Sequence, residues 1–348
     1  MPKSPLTLDP VSALLAWYDK YARVLPWRFR PGQTANPYHV WLSEIMLQQT
    51  TVVTVGPYFN KFLKRWPTVI DLAAAPLDDV LANWAGLGYY ARARNLHKCA
   101  VAVAANGGVF PDSEAGLMDL PGIGPYTAAA IGAIAYDLPL MPVDGNIERV
   151  TARYLAISKP LPGVKGELRD KAQKFKTNDR PGDMAQALMD LGATICTPRN
   201  PTCEACPISK GCKALAKGIA ADLPKRSPKK PRPVRYATMF WLTRPDGRVL
   251  LQKRPEKGLL GSMLGLASTE WLEEPVGNVE THAPAKSKWT AVDGTVGHTF
   301  THFHLEVSVL TAKTSRKEKT GEIWLLPEDL GDHAVPTLFR KVGKFVAS

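Results

Sequence analysis

Acidic residues are in short supply in this chain of 348 residues. Asp and Glu number 32 against 44 Lys and Arg, a formal net charge of +12. Such a balance argues against a cationic partner and for an anionic one, either nucleic acid or an acidic membrane. Long apolar runs are missing: the longest, TAAAIGAIAY at 127–136, is far too short to cross a bilayer. The opening residues, MPKSPLTLDP, hold no apolar core of a secretory signal, so an intracellular protein with no membrane partner is expected. Cysteine is sparse, at five residues, and a reducing compartment argues against structural disulfides. No internal repeat of solenoid period is present.

What is there divides in two. From residue 11 to about 217, apolar residues recur at three- and four-residue spacing, as in VSALLAWYDKYARV, YHVWLSEIMLQQTTVVTVGPYFNKFLKRW, LDDVLANWAGL and YARARNLHKCAVAVAAN. This predicts helix after helix. The texture changes at DLPKRSPKKPRPVR, 222–235, with four prolines and six basic residues. It predicts an extended cationic linker, either a plain tether or one that touches phosphates. Beyond it, YATMFWLTR and RVLLQKR flank a PDG turn as a hairpin, HFHLEVSVLTA and EIWLLP read as strands, and AVPTLFRKVGKFV as a closing helix. The expected fold is an all-α domain over 1–221, the linker, and a smaller α+β domain over 236–348.

Three motifs carry chemistry. Four of the five cysteines lie within seventeen residues, as Cys196-x6-Cys203-x2-Cys206-x5-Cys212. One loop of four thiolates can close around a zinc ion or an iron–sulfur cluster, and spacing leaves both open. Cys99, in a helical run, reads as a core residue. In LPGIGPYTAAAIGAIA, Gly122 and Gly124 permit a tight turn and Pro125 suits the first helical position. The amides of Gly122, Ile123 and Gly124 would then face a phosphate at a positive helix end, unless the stretch is a simple turn. The acids are Glu44, in the apolar VWLSEIMLQQT, and Asp144, in PVDGNIERV. Glu44 is either on an exposed face or buried, where its pKa would rise. Asp144 or Asn146 could simply cap a helix.

In order and spacing these motifs are similar to those of the helix-hairpin-helix DNA glycosylases, the endonuclease III and MutY group, over roughly residues 11–345. The resemblance implies a [4Fe-4S] cluster on Cys196, Cys203, Cys206 and Cys212, with Lys210 and Lys213 at phosphates. It implies a hairpin at about 117–135 and a catalytic set of Glu44, Asp144, Tyr126 and Asn146. Glu44 would be the general acid and base, and Asp144 the ionised partner of an oxocarbenium-like sugar. Relatives with lyase activity carry a lysine at the position of Tyr126; a phenol forms no imine, so a monofunctional enzyme is expected.

The target base must leave the helix. Gln48 and Gln49, and Tyr89 in GLGYYARARN, match the family's intercalating loops, and one of Tyr89 and Tyr90 should be core. Trp27 and Arg28 of LPWR, with Gln186, would line the adenine pocket. The C-terminal part resembles a Nudix-like domain lacking the metal-binding array, and Phe300, Thr301 and His302 stand where relatives read 8-oxoguanine with Phe-Ser-His. Glu148 departs from a position often basic in the family. The resemblance implies a monomeric bacterial, cytoplasmic and nucleoid-associated adenine DNA glycosylase, acting on double-stranded DNA with adenine opposite 8-oxoguanine or guanine. Rival readings are an oxidised-pyrimidine glycosylase/lyase, and a Nudix hydrolase fused to a DNA-binding module.

Overall fold

The computed structural model describes residues 9–228, 231–256 and 258–348. Residues 1–8 of the opening segment read for a signal, and Lys229, Lys230 and Lys257, lie outside the described residues. The helices are α1 (Pro10–Tyr21), α2 (Pro37–Leu47), α3 (Val52–Arg65), α4 (Val69–Ala74), α5 (Leu77–Trp84), α6 (Ala91–Ala105), α7 (Glu114–Met118), α8 (Pro125–Tyr136), α9 (Gly145–Leu155), α10 (Lys165–Ala172), α11 (Pro181–Thr194), α12 (Lys213–Ala216) and α13 (Thr337–Ala347). The strands are β1 (Val234–Thr243), β2 (Val249–Lys253), β3 (Leu264–Gly265), β4 (Ala267–Ser268), β5 (Thr290–Thr299), β6 (His304–Lys313) and β7 (Glu322–Leu325). Among the described residues no helix is long and apolar enough to cross a membrane.

The chain forms two compact units. The first holds the chain up to Ala74 together with Lys98–Pro228. At its centre lies α8, whose small apolar residues from Thr127 to Ala133 are all buried. A helix apolar on every side has to be enclosed. Its neighbour α11 approaches so closely that a Cβ on Gly182 would sit 2.6 Å from the Ala133 carbonyl oxygen. Beside it, Leu14, Ile147, Val150, Phe175, Met184 and Leu188 form a core against which Cys196, Cys206 and Cys212 pack.

Two expectations change here. The run 38–66, helical by its apolar spacing, is two helices, parted at Gln48 and Gln49 where the family resemblance sets a loop. Gln48 ends α2 in extended geometry, Gln49 is left-handed at φ 58°, and Thr51 caps α3 by accepting from the Thr54 amide at 3.3 Å. The stretch 222–235, read as an extended linker, is ordered at both ends: Asp222 closes a short 3-10 helix and Val234 and Arg235 begin β1, and its start is anchored. Leu161 donates to Lys225 and Ser227 donates to Leu161, both at 2.9 Å.

The second unit joins the chain after Pro228 with Ala75–His97. Sequence reasoning placed that segment with the helical domain alone. Lys253 Nζ pairs with Asp78 at 2.9 Å, and Arg94 Nη1 donates to the Gly261 carbonyl at 2.6 Å. The sheet is mixed, in the order β3-β2-β1-β6-β5, with β4 on β1 and β7 on β2. β1 runs parallel to β6 along its whole length, and the expected hairpin pairs Thr243 with Val249. One core contains Met239, Trp241, Leu305, Val307, Leu338 and Phe339 from the sheet and α13. A second contains Leu242, Leu250, Ala312 and Trp324.

Candidate active site

α2 is apolar nearly all round, so its one carboxylate is carried inside with it. Glu44 is 7% exposed. Packing of α2 against α8 sets Glu44 opposite Tyr126, in the first turn of α8, whose hydroxyl donates to Glu44 Oε2 at 2.9 Å. Burial raises the Glu44 carboxyl to about 7. The Tyr126 hydrogen bond and the Arg28 charge pull it down by less, and the Asp144 charge pushes it up. Of the two readings of Glu44, burial is the one observed. Tyr126 stays a phenol, since burial and the neighbouring carboxylates raise it well above its ordinary value.

Asp144 is at once a cap and a site residue. It is the N-cap of α9, where Oδ1 accepts from the Ile147 amide and Oδ2 from Asn146 Nδ2, both at 2.7 Å. Burial pushes its carboxyl up, against these donors and Arg149. The sequence reading expected an ionised partner; the donors supply the restraint that favours that form. Asn146 is itself oriented, accepting from Arg149 Nη2 at 2.9 Å. Arg149 also donates to the Gly192 and Cys196 carbonyls, at 2.6 and 2.7 Å. A hydrogen-bonded path therefore runs from the cysteine loop through Arg149 and Asn146 to Asp144. Sequence reasoning missed Arg149. Its signal was its place one helical turn after Asn146 in DGNIERV, on the same face.

The hairpin turn has the expected geometry. Gly122 is left-handed at φ 77°, Gly124 is the extended N-cap of α8, and Pro125 begins the helix. One of the three amides is used internally: Ile123 donates to the Leu120 carbonyl at 3.2 Å, and its side chain is buried. The exposed Gly122 and Gly124 amides take no part in that bond, so they, rather than Ile123, are the candidates for a phosphate. Gln48 Nε2 reaches Thr127 Oγ1 at 3.5 Å. Glu148 is buried and its Oε1 lies 3.5 Å from Lys165 Nζ, so it presents no bare charge at the surface.

Both expected wedge residues, Gln49 and Tyr89, are exposed and left-handed, at φ 58° and 48°. Such backbone in bulky residues is sparsely populated and gathers at functional loops. Tyr90 is the buried member of its pair. Tyr89 Oη lies 2.7 Å from Thr301 Oγ1. Thr301 and His302 are exposed, whereas Phe300 stacks on Trp271 with ring centres 5.6 Å apart.

Trp27 is buried edge-on to Phe59. Arg28 donates to Tyr18 and to the fully buried Asp190, at 3.1 and 3.3 Å, and Arg23 Nε meets the same carboxylate at 2.7 Å. Asp190, also missed, thus anchors the LPWR segment. Gln186 is buried and lines a cleft of about 220 Å³ with Phe29, Arg30 and Arg180. Glu44, Tyr126 and Asp144 are not among that lining, so the structure does not join Gln186 to the acids through this cleft.

The four loop cysteines line one small cavity with Ile195, Leu215 and Arg153, and no disulfide joins them. Arg153 Nη1 donates to Cys196 Sγ at 3.3 Å and to the Thr197 carbonyl at 2.7 Å. A guanidinium aimed at a sulfur suits a metal-bound thiolate. Among the described residues no three His, Cys, Asp or Glu side chains converge tightly on one metal ion. Cys99 is buried in the core, as expected.

Residues 42–174 match the HhH-GPD superfamily base excision DNA repair protein family, and residues 238–344 the NUDIX domain. Fold and site define the class: a helix-hairpin-helix DNA glycosylase with a Nudix-like C-terminal domain. The adenine DNA glycosylase of Homo sapiens is 35% identical over an alignment covering 95% of this chain and 72% of that protein. That of Mycolicibacterium smegmatis is 41% identical, over 62% of this chain and 72% of its own length. The chain belongs to the adenine DNA glycosylase family. Among solved structures, a thermostable thymine-DNA glycosylase superposes with a TM-score of 0.53 at 31% identity, covering 60% of this chain and 95% of that one. A non-covalent endonuclease III–DNA complex shares the fold, with a TM-score of 0.50 at 22% identity over 60% of this chain and 94% of that one.

Proposed function

We propose that this chain hydrolyses the N-glycosidic bond of adenine opposite 8-oxoguanine or guanine in double-stranded DNA, as a monofunctional glycosylase acting as a monomer. The observation that carries the reading is a buried Glu44, raised to about 7 and hydrogen-bonded to Tyr126 where a lyase would carry lysine. Because Tyr126 donates to Oε2, the proton of the neutral acid belongs on Oε1. From there it passes to N7 of the flipped adenine as the bond to the sugar breaks. Asp144, held by Ile147 and Asn146, faces the developing oxocarbenium as a carboxylate. The Glu44 carboxylate left behind takes a proton from the attacking water, which adds its oxygen to the sugar and restores the acid. Every group in this cycle comes from one chain.

In the same reading, residues 1–221 cut and 236–348 read the opposite base, with 222–235 between them. Phe300, Thr301 and His302 face the 8-oxoguanine. Gln48, Gly122 and Gly124 meet the backbone, Gln49 and Tyr89 fill the gap, and Trp27, Arg28 and Gln186 bound the base. Cys196, Cys203, Cys206 and Cys212 hold a [4Fe-4S] cluster, which supplies structure near the DNA rather than bond cleavage. Excision compared on duplexes with adenine opposite 8-oxoguanine, guanine and cytosine tests the substrate. Strong preference for the first two supports it, and excision of oxidised pyrimidines instead contradicts it. Metal analysis tests the cofactor: iron with acid-labile sulfide is expected, and zinc without iron contradicts it.

A further inference from the structure

The loop that presents Tyr89 turns through three residues of positive φ, Gly86, Gly88 and Tyr89, at 108°, 70° and 48°; the glycines adopt this freely, and Tyr89 is the strained one. Something has to hold that shape. Arg92, only 9% exposed, lies directly beneath it. Its Nη2 donates to the Leu87 and Gly88 carbonyls, at 2.9 and 3.2 Å. Its guanidinium carbon lies over the Trp84 ring at 5.1 Å and over the Tyr89 ring at 5.6 Å. Trp84 Nε1 adds a bond to the Gly88 carbonyl at 3.0 Å.

We propose that Arg92 is a positioning residue for the Tyr89 wedge, a pedestal that fixes ring and loop before DNA arrives. This rests on the reading of Tyr89 as the residue that fills the gap beside the opposing base. The planar guanidinium is what the place requires. Its edge serves two carbonyls while its face meets aromatic rings, and a lysine ammonium keeps the charge but not that geometry. Burial pulls Arg92 down to about 10, still charged at neutral pH. A preset wedge avoids ordering the loop at the moment of insertion.

The test uses the full chain as Arg92→Lys, with Arg92→Met as a second variant should the first not fold, and Tyr89→Ala alongside. Single-turnover excision is measured on adenine opposite 8-oxoguanine and on adenine opposite an abasic site, where no opposing base needs wedging. Fluorescence of 2-aminopurine beside the lesion reports unstacking. The expected result is a loss of roughly tenfold or more on the mispair, a smaller fluorescence rise, and little change opposite the abasic site. Equal losses on both substrates would make Arg92 a fold residue only, and no loss on either would remove its role; both overturn the proposal. If Tyr89→Ala is itself without effect, the wedge reading falls. If Tyr89→Ala is impaired and the Arg92 variant is not, the pedestal alone falls.

Discussion

At Glu44 burial and hydrogen bonding pull in opposite directions, and burial wins, so the acid holds its proton up to about pH 7. Single-turnover excision is therefore expected to be fast below that pH and to decline as pH rises through it; a flat profile contradicts the assignment. Glu44→Gln should bind duplex DNA as the parent does and lose excision by roughly a hundredfold or more, read by filter binding beside single-turnover assays. The same shift makes a stability statement. The ordinary value is 4.5 and the folded value is higher, so the folded chain binds this proton more tightly. That contribution is full below 4.5 and lost as pH rises through about 7. Against the parent, Glu44→Gln should gain melting temperature at about pH 8 and little at about pH 5.

Among the elements, the contact of α11 with α9 orders the site. A Cβ on Gly192 would lie 2.5 Å from Asn146 Cβ and 3.1 Å from its Cα. Gly192→Ala should cost about 1–3 kcal/mol in stability and displace Asn146, lowering excision too. Thermal melting and excision check this together, and an unchanged pair of values contradicts it. Local signals carried much of this architecture. The cysteine spacing, the LPGIGPY turn, the PDG hairpin and the closing helix α13 were legible because each depends on residues close in sequence. The break between α2 and α3 was legible only through the resemblance that sets Gln48 and Gln49 in a loop, because QQTT carries no proline or glycine and its reversal rests on Gln49 and the Thr51 cap. Strand β5 was missed because its alternation is weak: Val296 is its one buried residue, and it is held by β6. Arg149 and Arg92 were visible as charges; their partners are mostly carbonyl oxygens, which no side-chain pattern announces. The grouping of Ala75–His97 with the second unit depends on Thr301, Gly261 and Lys253, all far along the chain.

For the whole molecule the charge of +12 implies an affinity for DNA that weakens with salt. Lys210 and Lys213 are exposed beside the last cysteine. Replacing both with glutamine should weaken binding alike on any sequence and flatten the salt slope by about one per lysine. An unchanged slope would remove them from the interface. The central claim is base removal without a lyase, and one experiment reaches it directly. The full chain is given a duplex with adenine opposite 8-oxoguanine under single-turnover conditions, and half of each sample is quenched in alkali, half at neutral pH. Strand breaks confined to the alkali-treated half are expected, because Tyr126 forms no imine. Breaks in the neutral half would mean lyase chemistry and contradict the account.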